Sequence, residues 1–453
     1  MVDGDTYIHV AAGRWILHHR QFIHADPFSY TFRGAKWDAP EWLSEVFMAG
    51  AYRLAGWSGV CALYATACGF TAFVLARRLL RHLTPIPAIL ILWLAIACVA
   101  GGLSTRPYVL ALPILALWTD ALLSARDEGR APHLWLLPLM TLWSNLHASF
   151  LFGLVLVVPF AAEAVLEAGS QRARTLRAWG LFLLAAIVAS VINPHGIFGL
   201  IDPVRFMLRP VLASIGDWGS SLFGKPSPFE VALLAIIAFA LLRPMRLSIP
   251  RILLLVLVLH MALSQRRHVS VFAVVVPMLL AEPIAIALDG RDDVRAAIRA
   301  NLRAIPALSA GVAALAILAV RIAVPNARPD DVISPMKALA YVPEAIRSLP
   351  VLNSDVNGGF LIWNGVAPFI DTRVELYDDK FQDNRGKLYD LDRRAVSSTL
   401  ARYRIGWTFL PPKGPLNATL DALPGWRVLY ADKNAVVHVR SSATAGPQRA
   451  TQR

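Results

Sequence analysis

The chain has 453 residues, of which 56% are hydrophobic and 17% are charged, whereas soluble proteins carry roughly a quarter charged residues. This composition excludes an ordinary soluble protein and predicts a polytopic protein of the lipid bilayer. The formal net charge of +13 does not indicate nucleic-acid binding, because no run rich in lysine and arginine is interleaved with aromatic residues. The three cysteines lie in apolar stretches and lack the spacing of a disulfide framework or a metal site.

Residues 1–57 are predicted to form a first exterior loop that carries two amphipathic helices on the outer membrane surface. Apolar residues recur at helical spacing in both helices, and Asp5 stands where the first helix would have its N-cap. The apolar positions are Ile8, Ala11, Ala12, Trp15 and Ile16 in the first helix, and Leu43, Val46, Phe47, Gly50, Ala51 and Leu54 in the second.

Ten apolar stretches follow, and together they predict a transmembrane helical domain over residues 58–323. Each approaches the roughly 20 residues that a helix needs to cross the hydrocarbon, although several are shorter. The predicted spans are 58–76, 86–103, 107–123, 133–146, 148–167, 179–193, 228–242, 250–264, 269–288 and 304–323.

Arginine alternates between the loops of this domain. One set of loops holds Arg77, Arg78, Arg81, Arg126, Arg130, Arg172, Arg174, Arg177, Arg243, Arg246, Arg251, Arg291, Arg295, Arg299 and Arg303. The positive-inside rule assigns this set to the cytoplasm, so residues 1–57 and those after about 324 are expected outside. Because no hydrophobic segment precedes Met1, we expect that one N-terminal span is missing and favour a start codon that lies inside the gene.

A change in composition marks the predicted exterior α/β domain at 324–440, which we expect to fold alone, and the disordered tail at 441–453. The region between Asp378 and Arg404 is predicted to be helical. The predicted strands are Gly359–Trp363, Ala367–Ile370, Trp407–Leu410, Trp426–Tyr430 and Ala435–Val439.

Polar residues collect at the predicted exterior ends of the spans. Arginine works against the topology there, so an anionic ligand that it binds in a forked geometry is one explanation. The alternative is that each residue is an interfacial cap or loop residue. The candidates are Arg106, Asn145, His147, Asn193, His195, Arg266 and Arg267.

The second group of candidates is N-terminal. Asp3 or Asp5 could accept a proton from an acceptor hydroxyl, or the two could hold a divalent cation such as Mg²⁺ or Mn²⁺. Asp5 and His9 are four residues apart and would share a helix face. The alternative is that Asp5 only caps the helix.

The segment DGDTYIHVAAGRW, with WDAPEWLSEVFMAGAYRLAG leading into a span, resembles the GT-C superfamily of polytopic membrane glycosyltransferases. The segments SDVNGGFLIW and FIDTR are distantly similar to the acceptor-side domain of oligosaccharyltransferases. The resemblance implies sugar transfer from a polyprenyl-phosphate-linked donor to a glycan, lipid or protein acceptor at the outer face of a bacterial inner membrane. It implies a catalytic role for Asp5 or Asp3, carrier-phosphate binding by the exterior arginines, and acceptor binding by Asp355 and Arg373.

Two other classes of function stay open at this point. A transporter or lipid flippase would need charged residues along a pathway in the membrane, and Asp120, Glu163 and Glu282 lie only near the ends of spans. A non-enzymatic membrane scaffold would use the exterior domain to bind a partner, with Asp355 and Arg373 as structural residues. An assay for glycosyl transfer separates the enzyme from both.

Overall fold

The computed structural model describes residues 4–101, 104–209, 212, 218–221, 223, 226–289, 329–389 and 393–441. These residues fall into two compact units. The composite unit comprises the described residues of Met1–Tyr52 and Asn326–Arg453, and the helical unit comprises those of Arg53–Pro325. The predicted span at 304–323 and the predicted tail beyond Ser441 lie outside the described residues.

The protein is mainly helical with one small sheet. The helices, in chain order, are α1 (Asp5–His19), α2 (Trp42–Leu80), α3 (Pro85–Gly101), α4 (Pro107–Asp127), α5 (Leu137–Leu146), α6 (Phe150–Glu167), α7 (Arg172–Ser190), α8 (Phe198–Met207), α9 (Pro228–Leu242), α10 (Ile249–Ser264), α11 (Val269–Asp289), α12 (Met336–Tyr341), α13 (Glu344–Arg347), α14 (Asp355–Trp363), α15 (Asp379–Tyr389), α16 (Arg393–Arg402) and α17 (Pro415–Asp421). The strands are β1 (Val351–Asn353), β2 (Trp407–Phe409), β3 (Trp426–Ala431) and β4 (Val436–Arg440).

Five helical segments among the described residues are long and apolar enough to cross a membrane. They are Trp42–Leu80, Pro107–Asp127, Phe150–Glu167, Gly169–Ser190 and Arg266–Leu288. Four further predicted spans coincide with apolar helices of 10–17 residues, at Pro85–Gly101, Leu134–Leu146, Pro228–Leu242 and Ile249–Ser264. These helices support the predicted membrane character by their length and composition. The predicted count of ten spans is not confirmed, because a helix of 15 residues rises only about 23 Å.

Helix α2 contains a break that separates two predicted elements. The backbone dihedral angles of Ala55 and Gly56 are not helical. Gly56 has a φ of 56°, which glycine adopts without steric cost. The predicted amphipathic helix ends at Leu54 and the first predicted span begins at Ser58. The break at Gly56 thus lies between the two elements that the sequence distinguishes.

A network of ion pairs joins five helices in the helical unit, and its members Arg78, Glu163 and Arg251 are buried. Asp127 at the end of α4 accepts hydrogen bonds from Arg78 at 2.8 Å and Arg126 at 3.1 Å. Glu163 of α6 is 2% exposed and pairs with Arg126 at 2.9 Å. The other pairs are Arg77–Asp120, Arg78–Asp120, Arg81–Asp120, Arg126–Glu167, Arg251–Asp127, Arg251–Glu163 and Arg251–Glu282. The acidic residues of the predicted spans are therefore neutralised by neighbouring arginines.

In the composite unit, the sheet has the order β1-β2-β4-β3. β1 pairs with β2 in parallel, and the other neighbours are antiparallel. The predicted strands at Trp407–Leu410, Trp426–Tyr430 and Ala435–Val439 are confirmed as β2, β3 and β4, and the predicted helical region is confirmed as α15 and α16.

Two predicted strands are wrong. Gly359–Trp363 belongs to helix α14, and Ala367–Ile370 is irregular. The helix is favoured because α14 packs on α1, and a Cβ atom at Gly359 would lie 2.5 Å from the carbonyl oxygen of Gly4. The segment Gly359–Trp363 is apolar and has the composition of a strand. Its close approach to the start of α1 cannot be predicted from this local sequence.

The core of the composite unit contains both ends of the chain. Ile16 of α1 and the loop residues Ile23 and Trp37 are buried in one cluster with Phe369 and Ile370. The apolar face of α1 therefore packs on protein, not on the membrane surface where the sequence analysis expected it. The two segments that were expected to be separate domains, 1–57 and 324–440, both contribute to this core.

Candidate active site

The starts of α1 and α2 bring one histidine and three carboxylates together. Asp5 is the first residue of α1 and His9 lies one turn further on. Glu41 directly precedes α2, and Glu45 lies in its first turn. The helices approach closely at Gly13, where a Cβ atom would lie 1.9 Å from the carbonyl oxygen of Glu45. We call Asp5, His9, Glu41 and Glu45 the acid–base cluster.

His9 lies between two glutamates of this cluster. Its Nδ1 lies 3.1 Å from Glu45 Oε1 and its Nε2 lies 4.0 Å from Glu41 Oε2. The Glu45 side chain is 3% exposed, and its Oε2 atom has no hydrogen-bond partner among the described residues. Asp5 lies close enough to act on His9 electrostatically. The cluster thus holds three carboxylates around one imidazole.

The charge of His9 follows from these neighbours. Burial by itself lowers the pKa of an imidazole. The hydrogen bond to Glu45 and the charges of Glu41, Glu45 and Asp5 outweigh that effect and raise the pKa of His9 from 6.5 to about 9. His9 is therefore an imidazolium at neutral pH, and both of its ring nitrogens carry protons.

Asp5 is not the N-cap residue of α1. It occupies the first helical position, and Gly4 stands at the N-cap. An anionic side chain in this first turn is stabilised by the partial positive charge of the helix N-terminus. Asp3, the other predicted catalytic carboxylate, lies outside the described residues.

The described residues around Asp5 do not form a site for the expected divalent cation. In the part of the chain that the structure describes, no group of three or more His, Cys, Asp or Glu side chains has an arrangement that could hold a metal ion. His9 as an imidazolium offers no lone pair to a metal. The predicted Mg²⁺ or Mn²⁺ at Asp3 and Asp5 therefore gains no support from the described member of that pair.

Three predicted exterior residues converge near Tyr108 in the helical unit. Arg106 precedes α4, and the charges of Arg106 and Arg267 both act on the Tyr108 phenol. The rings of Tyr108 and His147 meet edge to face at 6.3 Å. Arg267 also stacks over Trp218 at 4.3 Å from the ring centroid. Because α4 separates Arg106 from Asp127, this group and the ion-pair network lie at opposite ends of that helix.

The other predicted exterior residues of the helical unit make local contacts. Asn145 donates to the carbonyl oxygens of Thr141 at 2.7 Å and Ile192 at 2.9 Å, so it joins the ends of α5 and α7. Asn193 accepts a hydrogen bond from the backbone N–H of His195 at 2.8 Å and shapes the turn after α7. The Arg266 backbone N–H donates to the carbonyl oxygen of Gly219 at 3.1 Å, and its side chain is exposed.

The predicted acceptor-binding residues are held by ion pairs in the composite unit. Asp355, at the start of α14, accepts from Arg385 at 2.7 Å. Arg373 is 5% exposed and donates to both oxygens of Asp371, at 2.9 and 2.6 Å, and to Asp26 at 2.7 Å. These contacts account for Arg373 as a structural residue that joins the first loop to the C-terminal segment.

Sequence reasoning missed Glu41 and Glu45. Both lie in the WDAPEWLSE segment, and their spacing of four residues places them on one side of a helix start. That spacing is a usable signal, but their proximity to His9 depends on how α1 packs against α2. Comparison with known proteins adds no assignment, because no protein-family model and no curated protein matches this chain.

Proposed function

We propose that this chain is a membrane glycosyltransferase that transfers a sugar from a polyprenyl-phosphate-linked donor to a glycan, lipid or protein acceptor. The observation that carries the proposal is the acid–base cluster. It is built from the two segments on which the resemblance to the GT-C superfamily rests, DGDTYIHVAAGRW and WDAPEWLSEVFMAGAYRLAG.

The chemistry requires a base for the acceptor. As the acceptor hydroxyl attacks the anomeric carbon, its proton must be removed, and the bond from that carbon to the carrier phosphate breaks. Asp5 is our candidate for this base. It is only half-buried, and it stands at the positive end of α1, which favours the ionised carboxylate. Glu45 is less suitable because it is buried and bonded to His9.

The leaving group is an anion, and guanidinium groups bind phosphate oxygens in a forked geometry. The proposal assigns this role to Arg106 and Arg267, which act on the same tyrosine in the helical unit. It also includes ten spans in a bacterial inner membrane, with the Arg106 end of α4 and the composite unit on the outer side.

The transporter alternative finds less support. Ionisable groups on a transport pathway would face a cavity in the membrane. Asp120, Glu163 and Glu282 instead pair with arginines of neighbouring helices. A structural role accounts for all three residues.

The test is sugar transfer by the purified chain in lipid nanodiscs, with a radiolabelled polyprenyl-phosphate-linked sugar as donor. Asp5→Asn keeps the size of the side chain and removes its charge. Loss of a general base lowers turnover by about 10²–10⁴-fold, and we expect a loss in that range.

Asp383→Asn is the matched control, because Asp383 is an exposed carboxylate on α15. It should retain full transfer. Full transfer by both Asp3→Asn and Asp5→Asn would refute the catalytic assignment. If only Asp3→Asn is inactive, the enzyme class survives and the preference for Asp5 does not.

A further inference from the structure

The buried carboxylate of Glu45 in the acid–base cluster calls for a cation. Asp5, Glu41 and Glu45 contribute three carboxylates, and Glu45 is almost fully buried. A buried carboxylate is costly unless it is paired with an opposite charge and its lone pairs are satisfied. A divalent cation is one solution to this problem, and a protonated side chain is another.

The position of His9 decides between these solutions. Its Nδ1 lies 3.1 Å from Glu45 and its Nε2 lies 4.0 Å from Glu41, so the imidazole ring lies between the two carboxylates. A metal ion bound by both glutamates would need oxygen ligands at about 2.0–2.6 Å, in the space that the ring fills.

We propose that the imidazolium of His9 is the resident counter-cation of the acid–base cluster and takes the place that a divalent cation would have. The cluster then works without a bound metal ion. The raised pKa of His9 agrees with this, because the ring carries its positive charge at neutral pH.

This inference rests on the proposed function, because it describes how the site of the proposed catalytic base is organised. His9 would be a positioning residue. It stands one helical turn after Asp5 on α1 and bonds to Glu45 on α2, so the ion pair fixes the helix start that presents Asp5. Among the described residues, Glu45 Oε2 has no hydrogen-bond partner, whereas Glu45 Oε1 bonds to His9 Nδ1.

The first experiment measures metal binding by the wild-type protein in nanodiscs, without donor or acceptor. Mn²⁺ is titrated and followed by electron paramagnetic resonance, and the melting temperature is measured with EDTA, Mg²⁺ or Mn²⁺. We expect no stoichiometric Mn²⁺ binding in the micromolar range and no change in melting temperature. Binding of one Mn²⁺ per chain that Asp5→Asn abolishes would overturn the inference.

The second experiment removes the charge of His9. His9→Gln should lower the melting temperature by several degrees, and Mn²⁺ should now raise it, because the buried Glu45 carboxylate has lost its cation. Adding Glu45→Gln to His9→Gln should restore part of the lost stability. A His9→Gln protein with the wild-type melting temperature would also overturn the inference.

His24→Gln is the matched control. His24 bonds to Asp38 at 2.7 Å, but its side chain is 63% exposed, so this pair contributes little to stability. The variant should melt near the wild-type temperature. None of these measurements uses sugar transfer. They therefore test the role of His9 even if the chain proves to have no glycosyltransferase activity.

Discussion

Arg373 makes two buried ion pairs in the composite unit. Its guanidinium binds Asp371 and Asp26, and its charged group also lies over the rings of Trp37 at 4.4 Å and Phe28 at 5.3 Å. Two carboxylates from distant parts of the sequence thus share one buried cation. Such a set stabilises the fold only while every member is present, because a lone buried charge is costly.

Replacement of Arg373 tests whether it is structural. Arg373→Met leaves Asp26 and Asp371 buried without their cation, and we expect the free energy of unfolding to fall by about 3–5 kcal/mol. Denaturant unfolding followed by tryptophan fluorescence measures this loss. Arg393→Met, at an exposed position of α16, should change stability by less than about 0.5 kcal/mol. A stable Arg373→Met protein that loses only acceptor binding would restore the role implied by the resemblance.

The acid–base cluster predicts a pH dependence of stability. The pKa of His9 is about 9 in the folded protein and 6.5 without its neighbours, so the folded state binds more protons between these values. The contribution of His9 to stability is therefore complete below pH 6.5 and is lost as the pH rises through about 9. The expected slope in this window is up to about 1.4 kcal/mol per pH unit, from one proton.

Unfolding measured across this window in wild type and in His9→Gln isolates the contribution. The variant should lack the His9 slope, while titrating groups outside the acid–base cluster contribute equally to both proteins. Identical pH profiles for the two proteins would mean that His9 does not carry its charge in this window.

At the scale of elements, two glycines allow α1 to lie against its neighbours. At Gly13 a Cβ atom would meet the Glu45 carbonyl oxygen at 1.9 Å, and at Gly359 it would meet the Gly4 carbonyl oxygen at 2.5 Å. Both obstacles are backbone atoms, which cannot move aside as a flexible side chain does. The packing of α1 on α2 and α14 therefore requires residues without a side chain at Gly13 and Gly359.

Gly13→Ala is expected to destabilise the protein although alanine is the better helix former. Its propensity favours the helix by about 1 kcal/mol, but the clash forces α1 and α2 apart at a cost of about 1–3 kcal/mol or more. Gly386→Ala is the matched control, because Gly386 is an exposed residue of α15 with open space around it. Thermal unfolding should show a loss for the first variant and a gain of about 0.5–1 kcal/mol for the second. A gain for both would contradict the close packing.

These contacts explain which elements the sequence could predict. The apolar helices and β2, β3 and β4 follow from local periodicity and β-branched runs, so their positions are confirmed. The run at Gly359–Trp363 has the same local features as a strand, but its helical state is favoured by contact with a segment more than 300 residues away. The same limit applies to the site: Asp5 and His9 share one helix, whereas Glu45 joins them only through tertiary packing.

At the scale of the whole molecule, the shared core changes what is expected of the C-terminal fragment. Residues 324–440 expressed alone would expose Leu352, Phe369 and Ile370, which Ile23 and Trp37 help to bury. We therefore expect this fragment to aggregate or to unfold without cooperativity. Co-expression with residues 1–52 should yield a soluble complex that unfolds cooperatively. A fragment that is soluble and cooperative alone would show that the N-terminal segment is dispensable for the core.

The last prediction concerns the orientation in the membrane. The ion-pair network and the Arg106 group lie at opposite ends of α4, so a single crossing of the membrane by α4 would separate them. The larger number of arginines predicts that the end of α4 near Arg77 faces the cytoplasm, because translocating many cations across the bilayer is unfavourable. Single cysteines test this in a background where Cys61, Cys68 and Cys98 are replaced. Arg266→Cys and Asp383→Cys should react with an impermeant maleimide in intact cells, whereas Arg174→Cys should react only after the membrane is opened. The reverse pattern would place the composite unit, and with it the acid–base cluster, in the cytoplasm, where no donor presented at the outer face could reach Asp5.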